Sequence, residues 1–423
     1  MQNFWHKFNT ALKDPILRKR IGFTVAALVM FRVLASIPVP SVDVANLSKL
    51  LTSSQFFGFL NIFSGGGLSN LSIVMLGVGP FITASIIIQL FTMMFPKWKA
   101  LMHEEGQAGR AKLSNYSRLL SVPLAVVQAI GFIILLQNQN VLPELTTMAF
   151  AINVIVISAG SILLMWIGEL ISEFGIGNGV SLIIFAGIVS RLPMDAIQFM
   201  STFDASQITM YIGVIAIGLA VIAGVVFVTE AERSVPVTYA KQVRGNKVYG
   251  GVSTYLPLRL NQAGVIPIIF ALSILLFPQI ITNFLSHASN ATVAAYATSL
   301  STWFNNPWVY GGMYFVLVVL FTYFYTAVTF DPKQISENLQ QNGAFIPGVR
   351  PGDHTREYLA SIVTRITLVG ALFLGIAAIL PLTMQHATGI QTLAIGGTSL
   401  LIVVSVVLDL LKKVDAQVAM REY

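Results

Sequence analysis

Residues that could carry out chemistry are few in this chain, and most lie where it leaves its apolar segments. None of the 423 residues is cysteine, which excludes disulfides, thiolate metal ligands and cysteine nucleophiles. The five histidines never stand four residues apart, so we expect no metal site. No G-x-x-x-x-G-K-[ST] sequence is present, so nucleotide hydrolysis by a phosphate loop is not expected. The sequence predicts neither an enzyme nor a cofactor.

Ionisable groups are also scarce inside the apolar segments, where an ion-coupled solute transporter would need them. The acidic residues beside these segments lie at or beyond their ends: Glu169, Glu173, Glu230, Glu232, Asp331 and Asp409. Arg32 is the main exception, and a structural role for it is the simpler interpretation. Two polar pairs at helical spacing, Ser85 with Gln89 and Gln279 with Asn283, indicate either packing contacts or a helix–helix seam that can open.

The apolar segments of the chain are predicted to be membrane spans. The chain is 55% hydrophobic and only 10% charged, against about 25% charged in soluble proteins, and its mean hydropathy is +0.76. Windows of ~19 residues predict ten spans. They are 22–37, 71–95, 119–136, 149–171, 179–189, 208–228, 265–284, 309–330, 362–382 and 393–411. The first is expected to be retained, because no small-residue cleavage site follows it.

The distribution of basic residues predicts the orientation of the spans. With ten spans, 21 of the 25 Lys and Arg residues fall on the side of the two termini. Only Lys49 and Arg191 fall on the opposite side. Both termini are therefore expected in the cytoplasm, and the net charge of +7 reflects topology rather than nucleic-acid binding.

An internal repeat indicates two halves of five spans. Gly77–Ala84 and Gly264–Ala271 share the pattern G-V-x-P-x-I-x-A, and Ile176–Ile184 resembles Ile395–Ile402. These matches fall in the second and fifth spans of each half, and an odd number of spans gives the halves opposite orientations. The repeat pairs Ile82 with Ile269 and Ile184 with Ile402, which are either ordinary core residues or an aliphatic collar that closes a pathway by dewetting.

The segment Asn61–Leu76 precedes the second span and is too rich in Gly, Ser and Asn to cross a bilayer. Its apolar residues and lack of charge are unlike a solvated loop. Irregular backbone at membrane depth persists only when it is buried in protein or lines a cavity. We expect a short re-entrant element that occupies the extracytoplasmic mouth of the pathway.

Two cytoplasmic loops have an ordered pattern. In 230–262, Val235, Val237 and Tyr239 alternate with polar residues before a basic tip, and Val248 and Tyr249 follow it, which predicts a β-hairpin. In 331–360, Pro and Gly residues surround Arg350 and indicate a rigid shape. The charges alone could serve topology, whereas ordered basic loops are typical of binding surfaces for acidic proteins or RNA.

Taken together, these segments resemble the SecY family, the channel subunits of the bacterial protein-translocation machinery. The resemblance covers roughly residues 20–415 and rests on six runs. They are SGGGLSNLSI (64–73), PFITASIIIQL (80–90), MWIGELISEFGIGNGVSLIIFAGIV (165–189), NQAGVIPIIFA (261–271), GAFIPGVRPGDHT (343–355) and GGTSLLIVV (396–404).

The resemblance implies an all-α integral membrane protein of ten helices in two inverted five-helix halves around a central pore, with a re-entrant plug helix. It implies a pore ring of Val78, Ile82, Val180, Ile184, Ile269 and Ile402. It implies a plug that includes Phe63, Ser64, Gly65, Gly66, Gly67, Leu68, Ser69, Asn70 and Leu71. The lateral gate would lie at Ser85, Gln89, Gln279 and Asn283, and the motor- and ribosome-binding residues would be Lys241, Arg244, Lys247 and Arg350.

The family also implies SecE, SecG, the SecA ATPase, the ribosome, signal-sequence-bearing polypeptides and membrane lipids as partners in the bacterial cytoplasmic membrane. This chain departs from the family by valine at two ring positions and by Gln242 and Asn246 in the basic finger, where relatives often have arginine. Two other classes stay open: a secondary solute transporter, which would need an ion-coupling residue at mid-depth, and an assembly scaffold, which would not need the aliphatic collar.

Expected divisions of the chain follow from the spans and loops. They are a cytoplasmic N-terminal segment at 1–20, an N-terminal half at 21–200 with a plug at about 60–73, a C-terminal half at 208–411 with loops at about 230–262 and 331–360, and a cytoplasmic tail at 412–423.

Overall fold

The architecture is taken from a computed structural model of the chain. It describes residues 14–40, 64, 66–95, 97–98, 101, 106–138, 142–143, 145–193, 197, 208–240, 242–244, 247–249, 253–264, 266–285, 291–304, 306–388 and 392–419.

Five helices form the first half of the described chain. They are α1 (Pro15–Ser36), α2 (Gly79–Met94), α3 (Gly106–Asn138), α4 (Thr147–Phe174) and α5 (Gly179–Val189). Side-chain caps define several of their starts, since the unpaired N–H groups of a first turn need acceptors. Asp14 Oδ1 accepts from the Ile16 N–H at 2.9 Å, and Asn178 Oδ1 accepts from the Ser181 N–H at 3.1 Å.

Seven further helices follow in the second half. They are α6 (Ile208–Glu230), α7 (Ile266–Leu285), α8 (Ala291–Phe304), α9 (Pro307–Thr329), α10 (Pro332–Gln341), α11 (Asp353–Thr388) and α12 (Thr392–Ala419). Asn306 and Asp331 cap α9 and α10, each followed by a proline at the first helical position, where a missing N–H costs nothing.

Each predicted span coincides with one helix, although several boundaries differ. The second span was predicted from residue 71, but α2 begins only at Gly79, because Leu71 and Gly77 have left-handed φ angles of 42° and 58° that interrupt helical backbone. The intervening residues are apolar because they are buried, not because they cross the membrane. The helices α3 and α11 begin at Gly106 and Asp353, well before the apolar segments predicted to start at residues 119 and 362.

Among the described residues, five helical segments are long and apolar enough to cross a membrane. They are Gly106–Gln137, Thr147–Phe174, Tyr211–Glu230, Pro307–Gln341 and Asp353–Gln385. Shorter apolar helices lie at Gly79–Met94, Gly179–Val189 and Ile266–Leu275. The chain is thus a membrane protein, and the full count of ten spans stays a prediction.

Helix neighbours follow the same order in the two halves. In the first, α2 contacts α3, α3 contacts α4, α4 contacts α5, and α1 contacts α4 and α5. In the second, α7 contacts α9, α9 contacts α11, α11 contacts α12, and α6 contacts α11 and α12. The halves meet where α7 contacts α2 and α3 and where α12 contacts α5. The helices that the sequence repeat pairs, α2 with α7 and α5 with α12, are therefore neighbours across the boundary.

The two loops 230–262 and 331–360, which are predicted to be cytoplasmic, contribute five strands, so the prediction of an all-α fold is incomplete. They are β1 (Glu232–Tyr239), β2 (Gln242–Arg244), β3 (Lys247–Tyr249), β4 (Ser253–Arg259) and β5 (Ala344–Phe345). An antiparallel sheet has the order β4-β1-β5, and β2 pairs with β3 in a separate hairpin.

The predicted pairing of the hairpin is wrong in part. Val248 pairs with Val243 in the short hairpin, not with the strand that contains Val235, whose partner is Leu256 on β4. Alternation in the sequence identifies strands but does not say which strand pairs with which, because β1 and β4 are separated by the whole basic tip.

Candidate channel site

The six predicted ring residues belong to, or pack against, one large apolar cluster that includes residues of both halves. Ile82 on α2, Ile184 on α5, Ile269 on α7 and Ile402 on α12 are 5%, 1%, 5% and 0% exposed. The other two are Val78, which is fully buried directly before α2, and Val180, which is half-buried against the same cluster on α5. Four helices from both halves thus contribute branched aliphatic side chains to this cluster, and a mutual contact of the six in a ring stays a prediction. A ring of such side chains would exclude water without directional bonds to hold it closed.

Close backbone contact fixes the two ring residues on α5. A Cβ added at Gly179 would overlap the carbonyl of Gly168 on α4, so the start of α5 lies directly on its neighbour. The Gly179 N–H also donates to Ser172 Oγ at 2.8 Å. Val180 and Ile184 follow this anchored turn one helical turn apart, which aims both at the same side of α5.

The segment from Ser64 to Val78, here called the plug segment, is buried in the same apolar cluster as the predicted ring residues. Leu68, Leu71 and Val74 are at most 1% exposed and belong to the same cluster as the ring isoleucines. The predicted plug helix is a 3-10 helix at Gly67–Asn70 in the described part of the chain, preceded by Gly66 with a φ of 83°. Of the predicted plug residues, Phe63 and Gly65 lie outside the described residues, as do the side chains of Ser69 and Asn70.

Hydrogen bonds hold the second part of the plug segment in place. The Val39 N–H donates to the Leu71 carbonyl at 2.8 Å, and the Ile73 N–H donates to the Ile37 carbonyl at 2.9 Å. On the other side, Ser161 of α4 donates to the Gly77 carbonyl at 2.8 Å. The residues after α1 and the middle of α4 therefore clamp residues 71–77 between them.

The structure places Arg32 beside the plug segment, a position that the sequence did not indicate. A Cβ added at Gly66 would lie 3.4 Å from Arg32 Nη1, and 3.8 Å from both the Gly187 carbonyl oxygen and Ser190 Oγ. The guanidinium group thus approaches the plug segment near the end of α5, where carbonyl groups face outward and favour a cation.

The predicted gate residues are only partly brought together. Gln89 Nε2 donates to Ser85 Oγ at 3.4 Å within α2, and Gln89 Oε1 is buried with no hydrogen-bond partner among the described residues. Gln279 and Asn283 lie on α7, which contacts α2, but their side chains lie outside the described residues. A polar contact across this seam stays a prediction.

Arg350 projects from a loop with a fixed backbone. Gly348 and Gly352 have φ angles of 84° and 93°, which favour glycine. The buried Thr355 hydroxyl donates to the Arg350 carbonyl at 2.9 Å, and Ser336 donates to the Gly352 carbonyl at 2.6 Å. The Arg350 side chain is exposed. Of the other predicted basic residues, Lys241 lies outside the described residues, as do Asn246 and the side chains of Gln242, Arg244 and Lys247.

The two loops 230–262 and 331–360 form one small domain with its own core. Val235 and Val237 from β1 pack with Ile346 and with Leu359 and Ile362 of α11. The packing of the two loops together could not be predicted from the sequence, because β5 is only two residues long and its pairing with β1 has no sequence signal. Arg350 and the strand that leads to the basic tip are consequently parts of one folded unit.

The overall architecture is the SecY/Sec61 channel fold. A structure described as that of a protein conducting channel has a TM-score of 0.67 and 20% identity to this chain, and the alignment covers 96% of this chain and 94% of that one. The structure of Sec61 in the canine ribosome–channel complex from the endoplasmic reticulum has a TM-score of 0.63 and 18% identity, with 96% and 94% coverage.

Sequence comparisons define the family. The family model described as SecY matches residues 72–411. The protein translocase subunit SecY of Mycobacterium bovis is 39% identical over 436 residues, and that of Corynebacterium glutamicum is 41% identical over 438 residues. Each of these alignments covers 98% of both chains. The chain therefore belongs to the SecY family of protein translocase subunits.

Proposed function

We propose that this protein is a passive, gated channel for unfolded secretory polypeptides, which also releases membrane segments sideways into the cytoplasmic membrane. The observation that carries the proposal is that the six aliphatic residues from both halves share one apolar cluster with the buried residues of the plug segment. An aliphatic ring blocks ions while closed and can deform around a passing chain of any sequence. A scaffold would have no use for this arrangement.

Ten spans in two inverted five-helix halves, at 21–200 and 208–411, are part of the proposal. The equal order of helix contacts in the two halves supports it, as do the contacts between the repeat-paired helices. With ten spans and the basic residues concentrated on the side of the termini, both termini are cytoplasmic. The plug segment then lies on the extracytoplasmic side of the ring.

The two seams between the halves differ, which favours one of them as the lateral gate. At the α5–α12 seam, a Cβ added at Gly177 would lie 3.0 Å from Leu410, and Leu17, Ile176 and Val418 form an apolar cluster beside it. At the α2–α7 seam, Gln89 has an unsatisfied oxygen. We infer that the α2–α7 seam opens and that the α5–α12 seam acts as the hinge.

Partners supply the energy in this account, because no group in the described spans is arranged to couple an ion gradient. The cytoplasmic domain is the proposed docking site for the SecA motor and the ribosome, with Arg350 as its main charged contact. Its shared core and exposed arginine support this role. SecE and SecG are the expected membrane partners, as the family resemblance implies.

Reconstitution tests the function. Liposomes containing this chain with SecE and SecG would be given SecA, ATP and a precursor with a signal sequence, and protease-protected precursor would be measured. Protection that needs both ATP and the signal sequence is expected. Uptake of small solutes under an ion gradient, with no protected precursor, would instead support the transporter class and overturn the proposal.

A further inference from the structure

The helix α8 lies between α7 and α9 and exposes an apolar stripe. Val293, Tyr296, Leu300 and Trp303 are 38%, 75%, 46% and 52% exposed. Their spacing of three, four and three residues places them on one face of the helix. A stripe of this size requires a partner surface, because exposed apolar faces of this kind mark contact sites.

The remaining faces of α8 show how it is oriented. Ala297 and Phe304 are buried, and α8 contacts α7. On the opposite side, three hydroxyl groups bond to carbonyls one turn earlier: Thr298 to Ala294 at 2.7 Å, Ser299 to Ala295 at 3.0 Å and Thr302 to Thr298 at 2.9 Å. No residue of α8 is charged. It is therefore a neutral amphipathic helix, with a hydroxyl-bearing face opposite its packed face.

The stripe continues apolar surfaces on the helices beside it. Ile281 and Leu285 at the end of α7 are 52% and 37% exposed, and Trp308 at the start of α9 is 74% exposed. The segment that begins at Pro307 is long and apolar enough to cross a membrane. With 14 residues, α8 spans only about 21 Å, which is too short to cross a bilayer itself. Its stripe thus borders surfaces that face lipid.

We propose that α8 lies flat in the outer-leaflet interface of the membrane, with its stripe in the boundary between lipid headgroups and acyl chains. Tyr296, Trp303 and Trp308 lie at headgroup level, where aromatic residues with a polar edge are most favourable. Since α8 has no charge, neutral lipid is a sufficient partner. Because α7 contacts both α8 and α2, the lipid surface anchors the extracytoplasmic end of the helix that borders the proposed gate.

Spin labels at single cysteines test this position, and the cysteine-free chain makes them straightforward. Labels at Tyr296→Cys and Leu300→Cys report on the stripe, and labels at Thr298→Cys and Thr302→Cys are matched controls on the polar face. The complex would be placed in phosphatidylcholine vesicles, and label relaxation by oxygen and by a water-soluble nickel chelate would be compared. We expect the stripe labels to have a several-fold higher ratio of oxygen to nickel access than the controls.

Two results would overturn the proposal. Equal access of the nickel chelate to all four positions would place α8 in water. Immobile stripe labels that neither oxygen nor the nickel chelate reaches would mean that protein, either another subunit or a second copy, covers the stripe.

The assignment to the outer leaflet rests on the proposed topology and has its own readout. A membrane-impermeant maleimide should label Thr298→Cys from outside intact cells. Labelling only from the cytoplasmic side would overturn that topology, and with it the outer-leaflet assignment, while the depth measurement would still report whether α8 is interfacial.

Discussion

Ser161 on α4 donates a buried 2.8 Å hydrogen bond to the carbonyl of Gly77, directly before the first residues of α2. One residue earlier, Gly160 touches the backbone of the plug segment so closely that an added Cβ would overlap the Ile73 carbonyl. The last part of the plug segment is therefore fixed to α4. If the plug segment is displaced, it must therefore bend on the N-terminal side of residue 73.

Replacing Gly160 with valine should loosen the closed channel. The added side chain would push residue 73 away from α4, and overpacking of this kind typically costs about 1–3 kcal/mol. We expect a lower melting temperature of the purified complex and a higher ion leak across proteoliposomes, because the plug segment would no longer lie properly against the ring.

The matched control for this change is Gly312→Val on α9, where an added Cβ meets nothing within 4 Å. It should leave both the leak and the melting temperature near those of the parent. A Gly160→Val channel as tight and as stable as the control would contradict the clamp between α4 and the plug segment.

A polar residue in the ring should open it to water. Ile82→Asn puts an amide into the aliphatic cluster, where an unpaired polar group costs about 1–3 kcal/mol and attracts water. We expect measurable ion conductance in planar bilayers and export of precursors with weakened signal sequences. Ile82→Leu keeps the volume and the apolar surface, so it should remain closed, and equal conductance of the two variants would argue against a hydrophobic seal.

The internal repeat of the sequence pairs Ile82 with Ile269 and Ile184 with Ile402, and the structure places all four in one large apolar cluster. Their role as a ring stays a prediction. Composition predicts a buried irregular segment before α2, since glycines next to apolar residues without charge favour one, and the structure confirms this for the described residues. The hydrogen bond that anchors the plug segment to α4 could not be predicted, because Ser161 lies 84 positions from Gly77 and no sequence pattern marks it.

Charge reversal at Arg350 should impair motor-driven export without disturbing the fold. The side chain is exposed, while its backbone is held by Thr355 and by the Gly348 and Gly352 turns. If it contacts an acidic surface of the motor, Arg350→Glu should lower the ATP-dependent translocation rate about tenfold or more. Membrane insertion level and melting temperature should be unchanged.

Arg356 offers a comparison within the same region, since it is exposed and pairs with Asp353 at 3.3 Å. Arg356→Glu should reduce translocation much less than Arg350→Glu. Equal losses would mean that general surface charge, rather than the fixed position of Arg350, governs docking.

If the α5–α12 seam is the hinge, a side chain at Gly177 should destabilise the protein. Its φ is 91°, and an added Cβ would lie 3.0 Å from Leu410 on α12. A left-handed conformation costs other residues about 1–2 kcal/mol, so Gly177→Ala should lower the melting temperature. Gly213→Ala on α6, where a Cβ meets nothing within 4 Å, should leave it unchanged or raise it slightly. The opposite order would remove support for a tightly packed α5–α12 seam.

In the domain formed by the loops 230–262 and 331–360, local sequence patterns predict a strand but not its partners. Alternation around Val235 and Val237 predicted a strand, and the structure confirms it as β1. Its pairing with both β4 and β5 depends on a core that includes Ile346, more than a hundred residues further along the chain. Local sequence patterns contain no information about such distant contacts, so the sequence alone predicts two separate loops.

Disulfide cross-linking at the ring tests the central claim most directly. A single cysteine at Ile82 would be combined with a precursor that has one cysteine and is stalled by a folded C-terminal domain. The account predicts a mixed disulfide that forms only with a functional signal sequence, the motor and ATP, and similar adducts from cysteines at Ile184, Ile269 and Ile402. Efficient export with no adduct at any of these four positions would show that the polypeptide passes elsewhere, and would contradict the assignment of the ring and the plug.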